Sequence, residues 1–295
     1  GAHAPRGAGG HRSARPVLMS PGTVAMVLGA AGAHAVWNLA SKSKRGDAFL
    51  FVWAYTWAST LLFVPFGIAM AIREQQPFDA RLVVASVLSA GLHTAYSLTL
   101  QAGYDRAALG VVYPVARATG PMLTMGFAVL VLGERLTPVA VLGALLIVAG
   151  ILVVIGNPFR TGSRHALPGM LWGGATGAAI AAYTLWDSYA VTTWRLAPAS
   201  YYAGTLLLQG LIMTPLALRR RQRLAATLHS DARPILVVAL FSPLAYLLVL
   251  TAMQRAPVAL VAPLRESSIV IGALLACWLF GEDHLARRVA GAVVV

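Results

Sequence analysis

The sequence predicts an all-α polytopic membrane protein built as a ten-helix inverted repeat, with five helices in each unit. Three observations point to this fold class: long apolar runs, arginines inside two of these runs, and a repeat that spans most of the chain. The 295 residues are 58% hydrophobic and 11% charged, with a mean hydropathy of +0.71. A soluble core cannot hide that much apolar surface, so a bilayer is the expected environment.

Nine membrane-spanning helices can be placed in chain order, because about 20 apolar residues cross a bilayer. Backbone groups in lipid must bond within their own segment, so each run is expected to be helical. Six runs lack Lys, Arg, Asp and Glu: 16–41, 48–72, 82–104, 136–159, 196–218 and 234–254. Three are interrupted by such residues: 107–133 by Arg117, 165–194 by Asp187, and 256–281 by Arg265 and Glu266.

The two ends of the chain depart from this pattern. Residues 1–19 are rich in Gly, Ala, Arg and His, and we interpret them as a disordered or non-native extension. A secretory signal is the alternative, because Arg15 precedes an apolar run. Only VAGAVVV follows Arg288, so we expect the tenth helix to be truncated.

An internal repeat defines the domain organisation. At an offset of 149 residues, Trp37-Asn38 matches Trp186-Asp187, and Arg106 and Pro114 match Arg255 and Pro263; at 148, Arg117 and Gly133-Glu134 match Arg265 and Gly281-Glu282. We therefore expect a first five-helix unit at 20–156, a linker at 157–166, and a second, incomplete unit at 167–295. An odd number of spans inverts the second unit relative to the first, as in many secondary transporters.

Four segments resemble the EamA-type branch of the drug/metabolite transporter superfamily. They are HAVWN at 34–38, LGERLTPVAVLGALLIVAG at 132–150, APLRESS at 262–268 and FGED at 280–283. The resemblance covers nearly the whole chain from Met19. It implies two five-helix halves and the export or exchange of small metabolites. We accordingly expect an integral protein of a bacterial inner (plasma) membrane.

Arg117 and Arg265 are the main candidates for a binding site, because a guanidinium at bilayer depth costs roughly 2.5 to 3.5 kcal/mol. Each lies about 15 Å from the start of its span, and the two spans run in opposite directions, so both should approach the middle of the membrane. The adjacent Glu266 leaves two positive charges against one negative charge. Guanidinium forks bind carboxylate or phosphate oxygens well, so a small organic anion is the expected substrate.

A structural role is the alternative for these charges. Glu266 would then pair with Arg117 across the repeat interface, while Arg265 would bond backbone carbonyls near Pro263. Pro114 and Pro121 flank Arg117, and Pro263 precedes Arg265. A proline at this depth bends or unwinds its helix locally, which indicates either a nearby cavity or a simple kink needed for packing.

Six further polar residues are candidates to line the site. They are His34 and Asn38 on the first helix, His93 and Tyr96 on the third, and Tyr183 and Asp187 on the sixth. The members of each pair are three or four residues apart and therefore share a helix face. Each could instead make an ordinary interhelical hydrogen bond. Gly169, Gly173 and Gly177, spaced by four, predict a close contact between two helices.

These patterns favour a secondary transporter, an exporter or exchanger of a small anionic metabolite that works by alternating access. A non-transporting membrane receptor or a lipid-scrambling protein is the alternative. No nucleophile–base pair, metal-ligand spacing or phosphate loop occurs, so no enzyme activity, cofactor or metal is expected. Uphill transport would then use a proton or counter-substrate gradient, with Glu266, Asp187, His34 and His93 as candidate proton carriers.

The net charge of +13 does not indicate a nucleic-acid partner. Most of the cations lie in short loops, where they can contact anionic lipid headgroups of the bilayer. The loops after odd-numbered spans hold the larger share of the Lys and Arg residues, so the positive-inside rule places these loops in the cytoplasm. The family resemblance suggests the opposite orientation for many members. The orientation stays open, and the sequence does not predict an oligomeric state.

Overall fold

A computed structural model describes residues 19–107, 109–134, 136–155 and 166–271, which form helices and no strands, as predicted. In chain order the helices are α1 (Pro21–Lys42), α2 (Ala48–Arg73), α3 (Ala80–Arg106), α4 (Leu109–Leu130), α5 (Pro138–Ile155), α6 (Ala166–Thr192), α7 (Pro198–Arg219), α8 (Arg221–Ser230), α9 (Ala232–Met253) and α10 (Val258–Arg265). The predicted N-terminal extension up to residue 18, the linker up to residue 165 and the expected truncated helix lie outside the described residues.

The described helices have the lengths and surfaces that a bilayer requires. By length and composition, α1, α2, α3, α7 and α9 can each cross a membrane, and α4 contains a shorter apolar stretch. Large apolar side chains point outward, with Leu130 86% exposed and Val139 79% exposed. Charged side chains such as Asp187, fully buried, lie inside. An apolar exterior around buried ionisable groups is typical of membrane proteins.

Helix α8 is an element that the sequence analysis did not predict. Its ten residues, RQRLAATLHS, occupy the connection between α7 and α9. The segment is too short and too polar to cross a bilayer, so it does not change the predicted set of spans.

The packing of the helices follows the inverted repeat. The repeat offset pairs α1 with α6, α2 with α7, α3 with α9, and α4 with α10. Helix α1 packs along α9 as α6 packs along α3, and α2 packs on α9 as α7 packs on α3. The pairs α2–α7 and α4–α10 also pack against each other. These contacts recur when the halves are exchanged, as a two-fold axis between inverted units requires.

The glycines of α6 lie directly on α4, as their spacing predicts. A Cβ added at Gly173 would lie 2.7 Å from Val115 Cβ and 2.8 Å from the Val112 carbonyl oxygen. A Cβ added at Gly177 would lie 2.6 Å from Thr119 Cβ. Only residues without a side chain allow the two backbones to approach this closely.

One face of the molecule carries the loop between α1 and α2, which binds the second half. The fully buried Asp231 accepts hydrogen bonds from the backbone N–H groups of Arg45, at 2.8 Å, and Gly46, at 2.9 Å. Asp47 caps α2 and pairs with Arg220 at 3.2 Å. Burial favours the neutral acid, but the Leu50 N–H group and the Arg220 charge help to hold the pKa of Asp47 below its usual value.

The opposite face also joins the two halves, through two side chains that cap helices. Gln76 Oε1, after α2, accepts a hydrogen bond from the Ala197 N–H group at the start of α7, at 2.8 Å. Glu134, after α4, accepts hydrogen bonds from Val258 and Ala259 at the start of α10. On this face, side chains of the first half therefore accept hydrogen bonds from the free backbone N–H groups at helix starts of the second half.

Candidate functional site

Four predicted site residues from three helices meet in the interior; we call His34, Arg117, Arg265 and Glu266 the charged cluster. Arg117 on α4 donates from Nη1 to Glu266 Oε2 at 3.0 Å. Arg265, the last residue of α10, donates to Glu266 Oε1 from Nη2 at 3.0 Å and from Nε at 3.3 Å. Arg117, Arg265 and Glu266 are 5%, 3% and 1% exposed. The two arginines therefore share one buried carboxylate.

His34 completes the cluster from α1. Its Nε2 lies 3.3 Å from Arg117 Nη2. Because a guanidinium only donates, this contact requires a lone pair on Nε2, and the His34 ring is then unprotonated at that nitrogen. Its edge packs on Trp37, with ring centroids 4.7 Å apart.

The backbone of α10 breaks at the charged cluster. Helix α10 contains Pro263 and ends at Arg265, and the chain turns at Glu266 and Ser267 before it becomes helical again. The Glu266 N–H group bonds the Pro263 carbonyl oxygen at 2.9 Å. By contrast, α4 is continuous through Pro121. The predicted local unwinding at proline is therefore present in α10 and absent from α4.

The cluster contains both guanidinium groups that the sequence placed near one another. Glu266 bonds Arg117 across the repeat interface, as the structural alternative predicted, but in the described contacts Arg265 bonds the same carboxylate instead of the backbone carbonyls near Pro263. Removing one partner of a buried ion pair typically costs about 3 to 5 kcal/mol, because the remaining charge is left buried and unpaired. Together the three groups carry one net positive charge.

A second group of buried polar residues surrounds Asp187; we call Ser89, His93, Asp187, Tyr201 and Tyr246 the Asp187 cluster. Asp187 Oδ1 accepts hydrogen bonds from Ser89 Oγ at 2.7 Å and from the Tyr201 hydroxyl at 2.5 Å. Its Oδ2 accepts from the Tyr246 hydroxyl and lies 3.0 Å from His93 Nε2. A carboxylate accepts about four hydrogen bonds, so these partners satisfy it. The cluster joins α6 to α3, α7 and α9.

Aromatic rings pack beside the Asp187 cluster. His93 stacks on Tyr183, with ring centroids 4.2 Å apart, and Tyr183 contacts Tyr96 edge-on at 5.6 Å. Tyr183 is the repeat counterpart of His34, so both positions carry an aromatic ring. The predicted residues Tyr96, Tyr183 and His93 therefore lie beside one another.

Among the described contacts, the Asn38 side chain bonds only the backbone of its own helix. Its Nδ2 donates to the His34 carbonyl oxygen of its own helix, at 2.8 Å. Asn38 is the repeat counterpart of Asp187. The residues that correspond to Tyr201 and Tyr246 in the first half are Val52 and Ser97, and the first cannot donate a side-chain hydrogen bond. Asn38 therefore lacks a counterpart of the Tyr201 hydroxyl that donates to Asp187.

Three members of the Asp187 cluster were missed in the sequence analysis: Ser89, Tyr201 and Tyr246. Two of them carry a signal in retrospect. Ser89 precedes His93 by one helical turn, and Tyr246 interrupts the apolar run LAYLLVL. Within the described ranges, no three His, Cys, Asp or Glu side chains come together in a way that could hold a metal ion.

Comparisons with known proteins address the fold and the family. The sequence model of the EamA-like transporter family matches residues 22–156 and 167–295. No curated protein matches the chain significantly. A solved crystal structure, described only as that of a protein, has a TM-score of 0.70 and 20% sequence identity, covering 92% of this chain and 96% of its own. At that identity the likeness shows a shared fold.

Proposed function

The chain belongs to the EamA-like transporter family, an integral membrane transporter family for small molecules, and we propose that it exports or exchanges a small organic anion by alternating access. The observation that carries the proposal is the charged cluster, in which two buried guanidinium groups share the single carboxylate of Glu266. We assign its membrane to the bacterial inner membrane.

The substrate competes with Glu266 for the two guanidinium forks. A carboxylate, phosphate or phosphonate group offers oxygen acceptors like those of Glu266, which Arg117 and Arg265 already bind. Ser268 supports a polar ligand here, because its hydroxyl is buried and has no hydrogen-bond partner among the described residues.

Substrate binding changes the contact between the two halves. Arg117 belongs to the first unit, whereas Arg265 and Glu266 belong to the second. An anion that displaces Glu266 from Arg117 therefore removes a bond between α4 and α10, and it supplies the differential interaction that a change of conformation requires. The Asp187 cluster, Glu266 and His34 are the proposed sites of proton coupling, with exchange for a second anion as the other source of energy.

Uptake into proteoliposomes tests the proposal. Purified protein is reconstituted, and uptake of labelled benzoate, phosphate and methylphosphonate is measured with each unlabelled anion inside. Arg265→Lys keeps the charge but loses the planar fork, so we expect anion uptake to fall about tenfold, and further in Arg265→Ala, since a charged hydrogen bond contributes about 1.5 to 3 kcal/mol. Arg81→Ala, an exposed arginine at the start of α3, serves as the matched control.

Other outcomes separate the competing functions. If Arg117→Ala and Arg265→Ala both transport anions as well as the parent protein, the arginines are structural and the anion proposal fails. Anion binding without uptake would indicate a receptor, and movement of a fluorescent lipid between leaflets without anion uptake would indicate a scramblase. Uptake that is unchanged when the proton gradient is collapsed, and in Glu266→Gln with Asp187→Asn, excludes proton coupling.

A further inference from the structure

Glu134 lies outside both clusters, yet it contacts the helix that carries Arg265. Its Oε1 lies 3.2 Å from the backbone nitrogen of Val258, and its Oε2 lies 3.0 Å from that of Ala259. These are the first two N–H groups of α10. One carboxylate from the first unit therefore uses both oxygens to cap a helix of the second unit.

Helix α10 has no comparable cap of its own. The residue before it, Pro257, makes no side-chain capping bond. The first N–H groups of a helix have no partner inside the helix, and the helix dipole favours a negative charge at this end. Because α10 is only eight residues long, its internal bonds contribute little, and its position depends on what holds its two ends.

The backbone before Glu134 directs its side chain across the interface. Gly133 has a φ of 69°, a left-handed conformation that few other residues adopt readily. The Glu134 N–H group then bonds the Ala128 carbonyl oxygen at 3.0 Å, which holds the chain against the last turn of α4. The sequence Gly-Glu thus turns the chain after α4 and supplies the cap of α10.

Glu134 and Arg117 hold α10 at opposite ends. Arg265 is seven residues after Val258, about 10 Å along the helix. The start of α10 is bonded by Glu134, which follows α4. At the other end of α10, Glu266 bonds Arg117 in the middle of α4. We propose that Glu134 is a positioning residue, which fixes the start of α10 so that Arg265 and Glu266 reach Arg117. This inference deepens the proposed function, because Arg265 is one of the two proposed anion ligands.

The buried Arg265 Nε–H group provides a direct readout of its position. It bonds Glu266 Oε1, so its exchange with water should be slow, whereas exposed arginine N–H groups exchange fast. In full-length protein labelled with ¹⁵N-arginine, its NMR signal is assigned by its loss in Arg265→Lys. Glu134→Ala removes both capping bonds, and we expect the exchange of this N–H group to accelerate at least tenfold. Glu134→Gln keeps an acceptor but loses the charge, so its effect should be smaller.

Gln76→Ala is the matched control. Gln76 also caps a helix of the second unit on the same face, but that helix, α7, contributes no residue to the charged cluster. We expect Gln76→Ala to lower the melting temperature about as much as Glu134→Ala while the Arg265 signal stays as in the parent protein. If Glu134→Ala does not fold, the comparison of Glu134→Gln with Gln76→Ala is decisive.

In the exchange experiment, two results would overturn the positioning role of Glu134. One is an Arg265 exchange rate that changes less than twofold in both Glu134 variants; the other is equal acceleration in Gln76→Ala, which would indicate general loosening. The readout needs no substrate, so a negative anion-uptake assay refutes the proposed function without touching this result. Anion uptake that is unchanged despite tenfold faster exchange would leave Glu134 structural and refute its positioning role.

Discussion

At the scale of single residues, the interior is organised by two carboxylates that accept several hydrogen bonds each. Glu266 bonds two arginines, and Asp187 is bonded by a serine, a histidine and two tyrosines. Burying a charge is costly unless it is paired and hydrogen-bonded, and each group meets that requirement in a different way. Glu266 depends on opposite charge, whereas Asp187 depends mainly on hydroxyl donors.

The Asp187 cluster should contribute more to stability than any one of its hydrogen bonds. Asp187→Asn places an amide NH₂ among groups that donate, so at least one donor loses its acceptor, and we expect the free energy of unfolding to fall by about 2 to 3 kcal/mol. Tyr246→Phe removes one donor from a carboxylate that keeps three partners and should cost about 1 to 2 kcal/mol. Denaturant unfolding in detergent micelles measures both values.

Asn38→Ala is the natural comparison for Asp187→Asn, because Asn38 occupies the equivalent position in the first half. Its side-chain bond stays within α1, so we expect a cost below about 1 kcal/mol. Equal stability of Asp187→Asn and the parent protein would show that the cluster does not hold α3, α7 and α9 on α6.

At the scale of helices, a close and extensive contact joins α4 of the first unit to α6 of the second. It places Arg117 on a helix whose neighbour cannot shift easily, because the glycines of α6 lie against α4 side chains and backbone. The contact therefore restricts where the Arg117 guanidinium can lie.

Gly173 and Gly174 offer a test of this contact with a control one residue away. A Cβ at Gly173 would collide with Val115 and the Val112 carbonyl oxygen, whereas a Cβ at Gly174 meets nothing within 4 Å. We expect Gly173→Ala to lower the free energy of unfolding by about 1 to 3 kcal/mol through overpacking, and Gly174→Ala to change it little or raise it slightly. Similar values for the two variants would contradict the close packing of α4 on α6.

At the scale of the whole molecule, the inverted repeat brings loops of opposite halves together at each face. The α1–α2 loop binds Asp231 at one face, and Gln76 and Glu134 cap helices of the second unit at the other. Hydrogen bonds between the halves thus join each face, and separating the halves at one face would break different hydrogen bonds from those at the other face. The arrangement fits a protein that opens its two sides in turn.

Cysteine labelling in vesicles tests the inverted arrangement. In a Cys277→Ser background, single cysteines at the exposed positions 44, 74, 193 and 221 are treated with a membrane-impermeant maleimide. The fold predicts that Lys44→Cys and Arg221→Cys react from one side of the membrane, and Glu74→Cys and Thr193→Cys from the other. Reaction of Lys44→Cys and Arg221→Cys from opposite sides would refute the topology.

Much of this architecture could be predicted from the sequence because it depends on local properties. The length of an apolar run determines whether it spans a bilayer, and matched residues at a nearly constant offset reveal the repeat. The same reasoning placed Arg117, Arg265 and Glu266 near one another, since a repeat with an odd number of spans brings equivalent depths together. The spacing of Gly169, Gly173 and Gly177 likewise predicted a helix contact from one segment alone.

What the sequence could not determine was which side chains share a partner. Asp187 could be recognised as a buried acid, but its donors come from α3, α7 and α9, and their convergence depends on how those helices rotate and tilt. Glu134 could be recognised as a residue after a span, yet its role arises only because α10 begins within 3.2 Å of it. By itself, then, the sequence determined the spans, the repeat and the buried charges, because hydropathy and periodicity act within a segment. The tertiary structure alone decided the hydrogen-bond partners, because these bonds depend on distances between segments far apart in the chain.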